Sequence, residues 1–266
     1  MLRILFLGDV VGRPGRRAVA AFLQEVSRWP LERRPGIVIA NAENASGGRG
    51  LDPRGADELR DAGVDVLTSG NHIWQKREII PYLEESGRLI RPANFAPGTP
   101  GRGWTVWRPP GDGATVGIVN VIGRVFMGPA DCPFRAVDDA LAALPPACKV
   151  VVVDMHGEAT SEKVAMGRYL DGRASLVIGT HTHVQTADDT VLPGGTAYLT
   201  DAGMCGPAES VLGVRVDRVI ERFLSQMPNR FDVAGGPVWV QGAIVDVDPD
   251  SGRASAIERV HELIEP

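Results

Sequence analysis

The sequence has few cysteines, few lysines and no long apolar run. Its three cysteines, Cys132, Cys148 and Cys205, lie far apart without a Cys-x-x-Cys pair, which argues against a zinc ribbon or a disulfide framework. No window approaches 18 uninterrupted apolar residues, and the apolar stretch after Met1 is too short for a secretory signal. From these absences we expect a cytoplasmic protein that is neither secreted nor membrane-spanning.

The charge balance argues against a protein that binds duplex nucleic acid over a broad surface. The formal net charge is -5 and the isoelectric point is about 5.6, which argues against a broad electrostatic grip on duplex nucleic acid but leaves a local basic groove open. Only three of the 28 basic residues are lysine, a bias that does not identify a substrate. Because 44% of the residues are hydrophobic and 23% are charged, we expect an ordinary globular protein. No repeat or linker is visible, and we interpret residues 1–266 as a single domain.

Short β-branched runs alternate with segments of helical spacing. The strand-like runs cover residues 3–7, 36–40, 64–68, 115–121, 149–154 and 174–179. The segments with apolar residues at three- and four-residue spacing cover residues 15–28, 52–61, 133–144 and 160–170. This alternation predicts an α/β fold. Two later runs, 237–247 and 254–260, have no crossover helix between them, so we expect some antiparallel pairing and a mixed sheet or two packed sheets.

Local signals refine a few of these segments. Asp52 followed by Pro53 predicts a capped helix start, and Thr160 or Ser161 is the expected cap of a later helix. The Gly- and Pro-rich stretch 97–103 is typical of a long loop.

Polar side chains that suit metal ions follow five separate strand-like runs. They are Asp9, Glu43 and Asn44, Asn71 and His72, His156, and His181 and His183. Four of the five histidines in the chain belong to this set. In α/β sheets ligands bind at the carboxyl ends of the strands, so five loops are predicted to converge on one site.

The set contains what two neighbouring metal ions require. Ions about 3.5 to 4 Å apart need a bridging carboxylate, for which Glu43 is suited, together with further oxygen and imidazole ligands. His181 and His183 are two residues apart, which places both rings on one side of an extended segment. Oxygen and imidazole donors without thiolate favour manganese, iron or zinc, and the ligand types do not choose among them.

Each residue also has a purely structural interpretation. A single Asp or Asn after a strand is more often a turn former or a helix cap than a ligand. Eight such residues at the ends of five strand-like runs, taken together, favour ligands over turn formers. Asn44 is the weakest member, because an Asn before Ala-Ser-Gly-Gly could simply shape the loop.

Several sequence blocks resemble one family. Gly8-Asp9, Asn41-Ala-Glu-Asn44, Gly70-Asn71-His72, Asp154-Met-His156 and Gly179-Thr-His-Thr-His183 resemble the calcineurin-like metallophosphoesterases. The longer blocks 41–50, 91–95, 156–163 and 179–187 are more specifically similar to the bacterial YmdB-like branch, whose described activity is 2',3'-cyclic-nucleotide 2'-phosphodiesterase. The resemblance runs from the first strand to about Arg222. It implies two packed mixed β-sheets flanked by helices, an αββα sandwich.

The resemblance also assigns roles to the site residues. It implies one metal ion bound by Asp9, Glu43, Asn44 and His183, and a second bound by Glu43, Asn71, His156 and His181. The opening Asp-x-His of the wider superfamily is Asp9-Val10-Val11 here, and Glu43 replaces the usual bridging aspartate; both departures fit the YmdB-like branch. His72 is left free to protonate the leaving oxygen or to stabilise charge on the phosphoryl group.

The resulting hypothesis is hydrolysis of a 2',3'-cyclic nucleotide to a 3'-nucleotide by a hydroxide that bridges two metal ions, with His72 as proton donor. Two alternatives stay open: a phosphodiesterase or phosphomonoesterase of broader specificity, and a regulatory protein that binds a nucleotide or an RNA end. The expected partners are a small nucleotide, a regulatory or RNA-decay pathway and further copies of the chain, because the branch commonly self-associates.

Two further segments carry weaker signals. The stretch Arg124 to Met127 follows a predicted strand and could line a nucleotide pocket, where an aromatic ring would stack on a base; packing at the core or rim is equally compatible with it. Glu158 could orient a ligand imidazole from outside the metal coordination sphere.

Overall fold

The computed structural model describes residues 1–109, 111 and 113–265 and places two β-sheets between two layers of helices. The strands are β1 (Leu2–Leu7), β2 (Asp9–Val10), β3 (Ile37–Asn41), β4 (Val66–Thr68), β5 (Trp104–Trp107), β6 (Val116–Ile122), β7 (Val150–His156), β8 (Leu176–Thr180), β9 (Thr190–Val191), β10 (Ala197–Leu199), β11 (Met204–Pro207), β12 (Val238–Val247) and β13 (Ala254–Ile264). The helices are α1 (Gly12–Val26), α2 (Pro53–Asp61), α3 (Ile79–Glu85), α4 (Pro133–Ala143), α5 (Thr160–Tyr169) and α6 (Val216–Ser225), with 3-10 turns at Leu31–Arg33 and Ile73–Gln75.

Both sheets are mixed, as predicted. In the first sheet, of order β2-β11-β12-β1-β3-β4, the strands β1, β3 and β4 are parallel, and β12 pairs antiparallel with β1 and with β13. In the second sheet, of order β5-β6-β7-β8-β10-β9, the four central strands are parallel and the two edge strands are antiparallel. The antiparallel pairing expected between the last two runs is therefore confirmed.

Alternation of side chains along the strands builds the layers. On β1, Ile4 and Phe6 face the second sheet, whereas Leu5 and Leu7 face helices α1 and α2. A third apolar cluster packs α4 and α5 against the outer face of the second sheet. All four β1 side chains are fully buried, and burial of each such side chain contributes about 1.5–3 kcal/mol. The order of layers is helix, sheet, sheet, helix, and the expected αββα architecture is confirmed.

Element boundaries and caps were predicted with mixed success. Asp52 caps α2 and accepts a hydrogen bond from the Gly55 backbone N–H at 2.7 Å, as expected. The cap predicted for α5 is wrong, because Ala159 occupies that position and Thr160 and Ser161 lie inside the helix. The sequence interpretation named neither α3 nor α6, and it missed the edge strand β5. The seven-residue α3 and the four-residue β5 are too short to carry the long periodic pattern that identifies central elements.

The sheets bring the carboxyl ends of β1, β3, β4, β7 and β8 to one edge of the sandwich, where the predicted polar loops begin. Within the described residues, no helix combines the length and the apolar character needed to cross a membrane.

Candidate metal centre

The structure brings together the side chains predicted from five strand ends. Four of them, Asp9, Glu43, Asn44 and His156, are almost completely buried, whereas the other four are partly exposed. Two positions differ slightly from the prediction. Asp9 begins the short strand β2, and His156 is the last residue of β7, so neither lies in a loop beyond a strand.

One half of the cluster is built around the His156 ring. Its Nε2 atom lies 3.2 Å from Glu43 Oε1, 3.0 Å from Asn71 Oδ1 and 3.1 Å from His181 Nδ1. Glu43, His156 and His181 each offer a donor atom within 4.8 Å of the others, close enough to share one metal ion. Carboxylate, amide and imidazole donors thus converge on one point.

The charges of this half are strongly coupled. Burial alone would lower the pKa of His156, but the neighbouring Glu43 carboxylate raises that pKa to about 9. Burial alone would raise the pKa of Glu43, but His156 and His72 lower it well below its usual range. Burial and the charge of His156 lower the pKa of His181 to about 3. An imidazole ligates a cation only through an unprotonated nitrogen, so a cation and a proton compete for His156 Nε2.

The other half of the cluster contains Asp9, Asn44 and His183. The His183 Nε2 atom lies 3.1 Å from Asn44 Nδ2 and 3.7 Å from Asp9 Oδ1. Asp9 Oδ2 accepts the backbone N–H of His181 at 3.0 Å, but the buried Oδ1 has no hydrogen-bond partner among the described residues. Burial also raises the pKa of Asp9.

The unpartnered Asp9 oxygen tests whether these residues fit a metal ion. A buried carboxylate oxygen without a donor is costly, because desolvation is not offset by a hydrogen bond. A cation between Asp9 and His183 would remove that cost, and the oxygen and imidazole donors suit manganese, iron or zinc. The residues therefore fit a bound metal ion.

His72 stands at the rim of the cluster. Its Nδ1 atom lies 2.9 Å from Asn44 Oδ1, and its backbone N–H donates to Glu43 Oε2 at 2.8 Å. The side chain is 22% exposed, in contrast to the fully buried Glu43 beside it. Because Nδ1 is engaged with Asn44, Nε2 is the ring atom left to exchange a proton with a bound molecule.

A second layer of polar residues fixes the His156 ring. The Thr180 hydroxyl donates to Asp154 Oδ1 at 2.6 Å and therefore accepts from His156 Nδ1, 2.9 Å away. Asp154 also accepts from the Asn41 side chain at 3.0 Å and from the Thr68 hydroxyl. Burial raises the pKa of Asp154 to about 6, although the hydrogen bonds from Thr180, Thr68 and Asn41 act in the opposite direction. The hydrogen-bond chain keeps a proton on Nδ1 and directs Nε2 toward the cluster.

A buried ion pair supports the segment that carries His181 and His183. Both histidines have positive φ, 105° and 65°, a strained region for residues other than glycine. Between them, Thr182 donates its backbone N–H and its hydroxyl to Asp201 Oδ2 at 3.2 and 2.8 Å. Lys163 Nζ donates to the same oxygen at 2.7 Å, and both charged side chains are 1% exposed.

Sequence reasoning missed most of this support. Asp154 lies near the end of β7, Thr180 ends β8 and Asp201 follows β10. Nothing in their spacing separates a supporting residue from a metal ligand. Lys163 lies within the predicted helix 160–170, and the apolar spacing of that segment gives no sign of its partner. Glu158 was considered as an orienting residue, and its Oε2 lies 3.3 Å from His181 Nε2.

Comparison with known proteins places this geometry in context. The sequence profile described as YmdB-like protein matches residues 5–260. The chain is 44% identical to a 2',3'-cyclic-nucleotide 2'-phosphodiesterase of Bacillus subtilis, over 97% of this chain and 96% of that protein.

Two solved structures agree with the fold. A hypothetical protein from Thermus thermophilus superposes with a TM-score of 0.91 at 43% identity, with both chains fully covered. A structure described as a novel phosphatase from Mycoplasma pneumoniae superposes with a TM-score of 0.91 at 31% identity, over 99% of this chain and 94% of that one. The profile match and the identity extend over nearly the whole chain, and the chain therefore belongs to the YmdB-like family.

Proposed function

We propose that this protein is a phosphodiesterase that uses two metal ions to hydrolyse 2',3'-cyclic nucleotides to 3'-nucleotides. The observation that carries the proposal is the convergence of eight metal-competent side chains at one sheet edge, with a buried Asp9 oxygen left unpartnered. The 44% identity to a relative named for this activity supports the choice of substrate.

The two halves of the cluster supply two ligand sets. Asp9, Glu43, Asn44 and His183 would hold one ion, and Glu43, Asn71, His156 and His181 would hold the other. The donor types favour iron or manganese, with zinc as a third candidate. When bound, such ions lower the pKa of water and draw charge from a phosphoryl group.

His72 is the proposed proton donor. The contact of Nδ1 with Asn44 fixes the plane of the ring, and Nε2 is left for the substrate. A protonated His72 can give the Nε2 proton to the ribose 2'-oxygen as the bond to phosphorus breaks. Loss of such a positioned acid typically slows turnover by about 10² to 10⁴-fold.

The test measures metal content and turnover on the same preparations. We expect the wild type to contain about two ions per chain and to hydrolyse 2',3'-cyclic AMP. We expect His72→Ala to keep the metal and to lose turnover. His261→Ala is the matched control, because His261 is an exposed histidine on β13, outside the cluster. A metal-free wild type, or a fully active His72→Ala variant, contradicts the assignment.

A substrate panel separates the proposed activity from its nearest alternative. The proposal predicts faster turnover of 2',3'-cyclic AMP than of 3',5'-cyclic AMP or of an aryl phosphate. Equal rates on all three compounds indicate a phosphoesterase of broad specificity.

A further inference from the structure

The loop that follows β6 begins beside the backbone of His156, one of the proposed ligands. Strand β6 is the neighbour of β7, and its last residue, Ile122, is in register with His156. The next residue, Gly123, donates its backbone N–H to the His156 carbonyl oxygen at 2.8 Å. The loop 123–128 therefore starts next to a proposed ligand, at the carboxyl edge of the sheet.

The base of this loop is held by a carboxylate. Glu162 in the first turn of α5 is 9% exposed, and it accepts the backbone N–H groups of Arg124 at 3.0 Å and Val125 at 3.2 Å. A Cβ atom on Gly123 would lie 2.5 Å from Glu162 Oε2, so a side chain at this position would displace the carboxylate. A further hydrogen bond from the Met127 N–H to the Arg124 carbonyl, at 3.4 Å, closes the turn.

The tip of the loop, unlike its base, is exposed to solvent. Phe126 is 88% exposed and Val125 is 44% exposed. Phe126 also has a positive φ of 61°, which is unfavourable for a bulky residue. Packing in the core does not account for an aromatic ring in this position, because the ring is almost fully solvated. A fixed loop that presents an unfavourable, exposed aromatic residue is typical of a recognition surface.

We propose that loop 123–128 recognises the nucleoside part of the substrate, and that Phe126 stacks on its base. The proposal rests on the phosphodiesterase function proposed above. In a nucleoside 2',3'-cyclic phosphate, the base extends from the ribose away from the phosphate. The base therefore needs a surface beside the metal cluster, and an aromatic face binds any base by stacking.

If Phe126 stacks on the base, its removal should weaken the binding only of substrates that carry a base. Phe126→Ala is expected to raise KM for 2',3'-cyclic AMP about 10-fold with little change in kcat, because stacking stabilises substrate and transition state alike. Hydrolysis of glycerol 1,2-cyclic phosphate, which has the same ring but no base, is expected to stay unchanged. Phe126→Trp keeps an aromatic face and is expected to preserve KM.

The matched control is Phe223→Ala, which removes another exposed phenylalanine, 79% exposed, from α6. Calorimetric titration of 3'-AMP into metal-loaded wild type and Phe126→Ala tests stacking on the base in the absence of turnover. We expect about 10-fold weaker binding to the variant.

The two proposals fail in different ways. Absence of hydrolysis of both cyclic compounds by the wild type contradicts the proposed function. Equal affinity of wild type and Phe126→Ala for 3'-AMP, or an equal loss of turnover on both cyclic compounds, contradicts the role of Phe126.

Discussion

Gly70 lies against two proposed ligands and leaves no room for a side chain of its own. A Cβ atom on Gly70 would overlap His156 Nε2 and Glu43 Oε2. Gly70 belongs to the block Gly70-Asn71-His72, but only its close approach to the two ligands explains why glycine is needed there. Displacement of a reacting group by about 1 Å can slow catalysis by about 10²-fold.

We therefore expect Gly70→Ala to lose metal and to reduce turnover by at least about 10²-fold, while the fold is retained. Metal analysis, circular dichroism and steady-state kinetics measure the three quantities. Gly87→Ala is the control, because a Cβ atom there has no neighbour within 4 Å. A Gly70→Ala variant with normal metal content would show that the two ligand side chains can shift without loss of the site.

At the scale of elements, helix α5 supports the site on two sides from its first turns. Glu162 holds the loop after β6, and the next residue, Lys163, pairs with Asp201 behind the His181–His183 segment. Neither residue offers a ligand atom to the cluster. The helix therefore acts on the site by fixing two segments, the one that carries His181 and His183 and the loop that carries Phe126.

Removal of the Lys163 charge tests this support. Lys163→Met leaves the Asp201 carboxylate buried without its cation, so we expect the free energy of unfolding to fall by about 3–5 kcal/mol. The double variant Lys163→Met with Asp201→Asn removes both charges and should recover part of that loss. Urea unfolding measures stability, and competition with a chelator measures metal affinity. Lys149→Met, at an exposed lysine, is the control; an equally small effect at both lysines would contradict the prediction.

At the scale of the whole molecule, the two sheets share one apolar layer. Side chains from β1, β3 and β12 in the first sheet pack there against β6, β7 and β8 of the second. The proposed ligands also come from both sheets. Asp9 and Glu43 lie on or after strands of the first sheet, and His156 and His181 lie on or after strands of the second. Metal binding should therefore stabilise both sheets together.

We predict that the chain unfolds in a single cooperative transition as one domain, and that a chelator lowers its Tm. A ligand present at about 100 times its Kd stabilises the folded state by about 2.7 kcal/mol, which corresponds to a Tm shift of about 5 °C or more. Calorimetry with and without chelator measures both quantities. Two separate transitions, or a Tm that does not respond to chelation, would contradict this view.

The order of the amino acids was enough to predict the fold class, the central strands and the identity of the proposed site residues. Alternating β-branched runs and helical segments carry a periodic signal, and polar residues at strand ends have a predictable destination. Helix α6 carried a similar signal at Val216, Ile220 and Phe223, which the interpretation overlooked. These three side chains stay largely exposed, whereas Val219 of the same helix is buried.

How these residues act on one another depends on the packing of the folded chain. The Asp154–Thr180–His156 chain, the Lys163–Asp201 pair and the contact of Glu162 with loop 123–128 join residues that are distant in sequence or lie on different elements. Local periodicity reports which face of an element is buried, but not which side chain it meets there. Charge coupling and hydrogen bonding depend on distances of a few ångströms between elements, and the packing of the two sheets sets those distances.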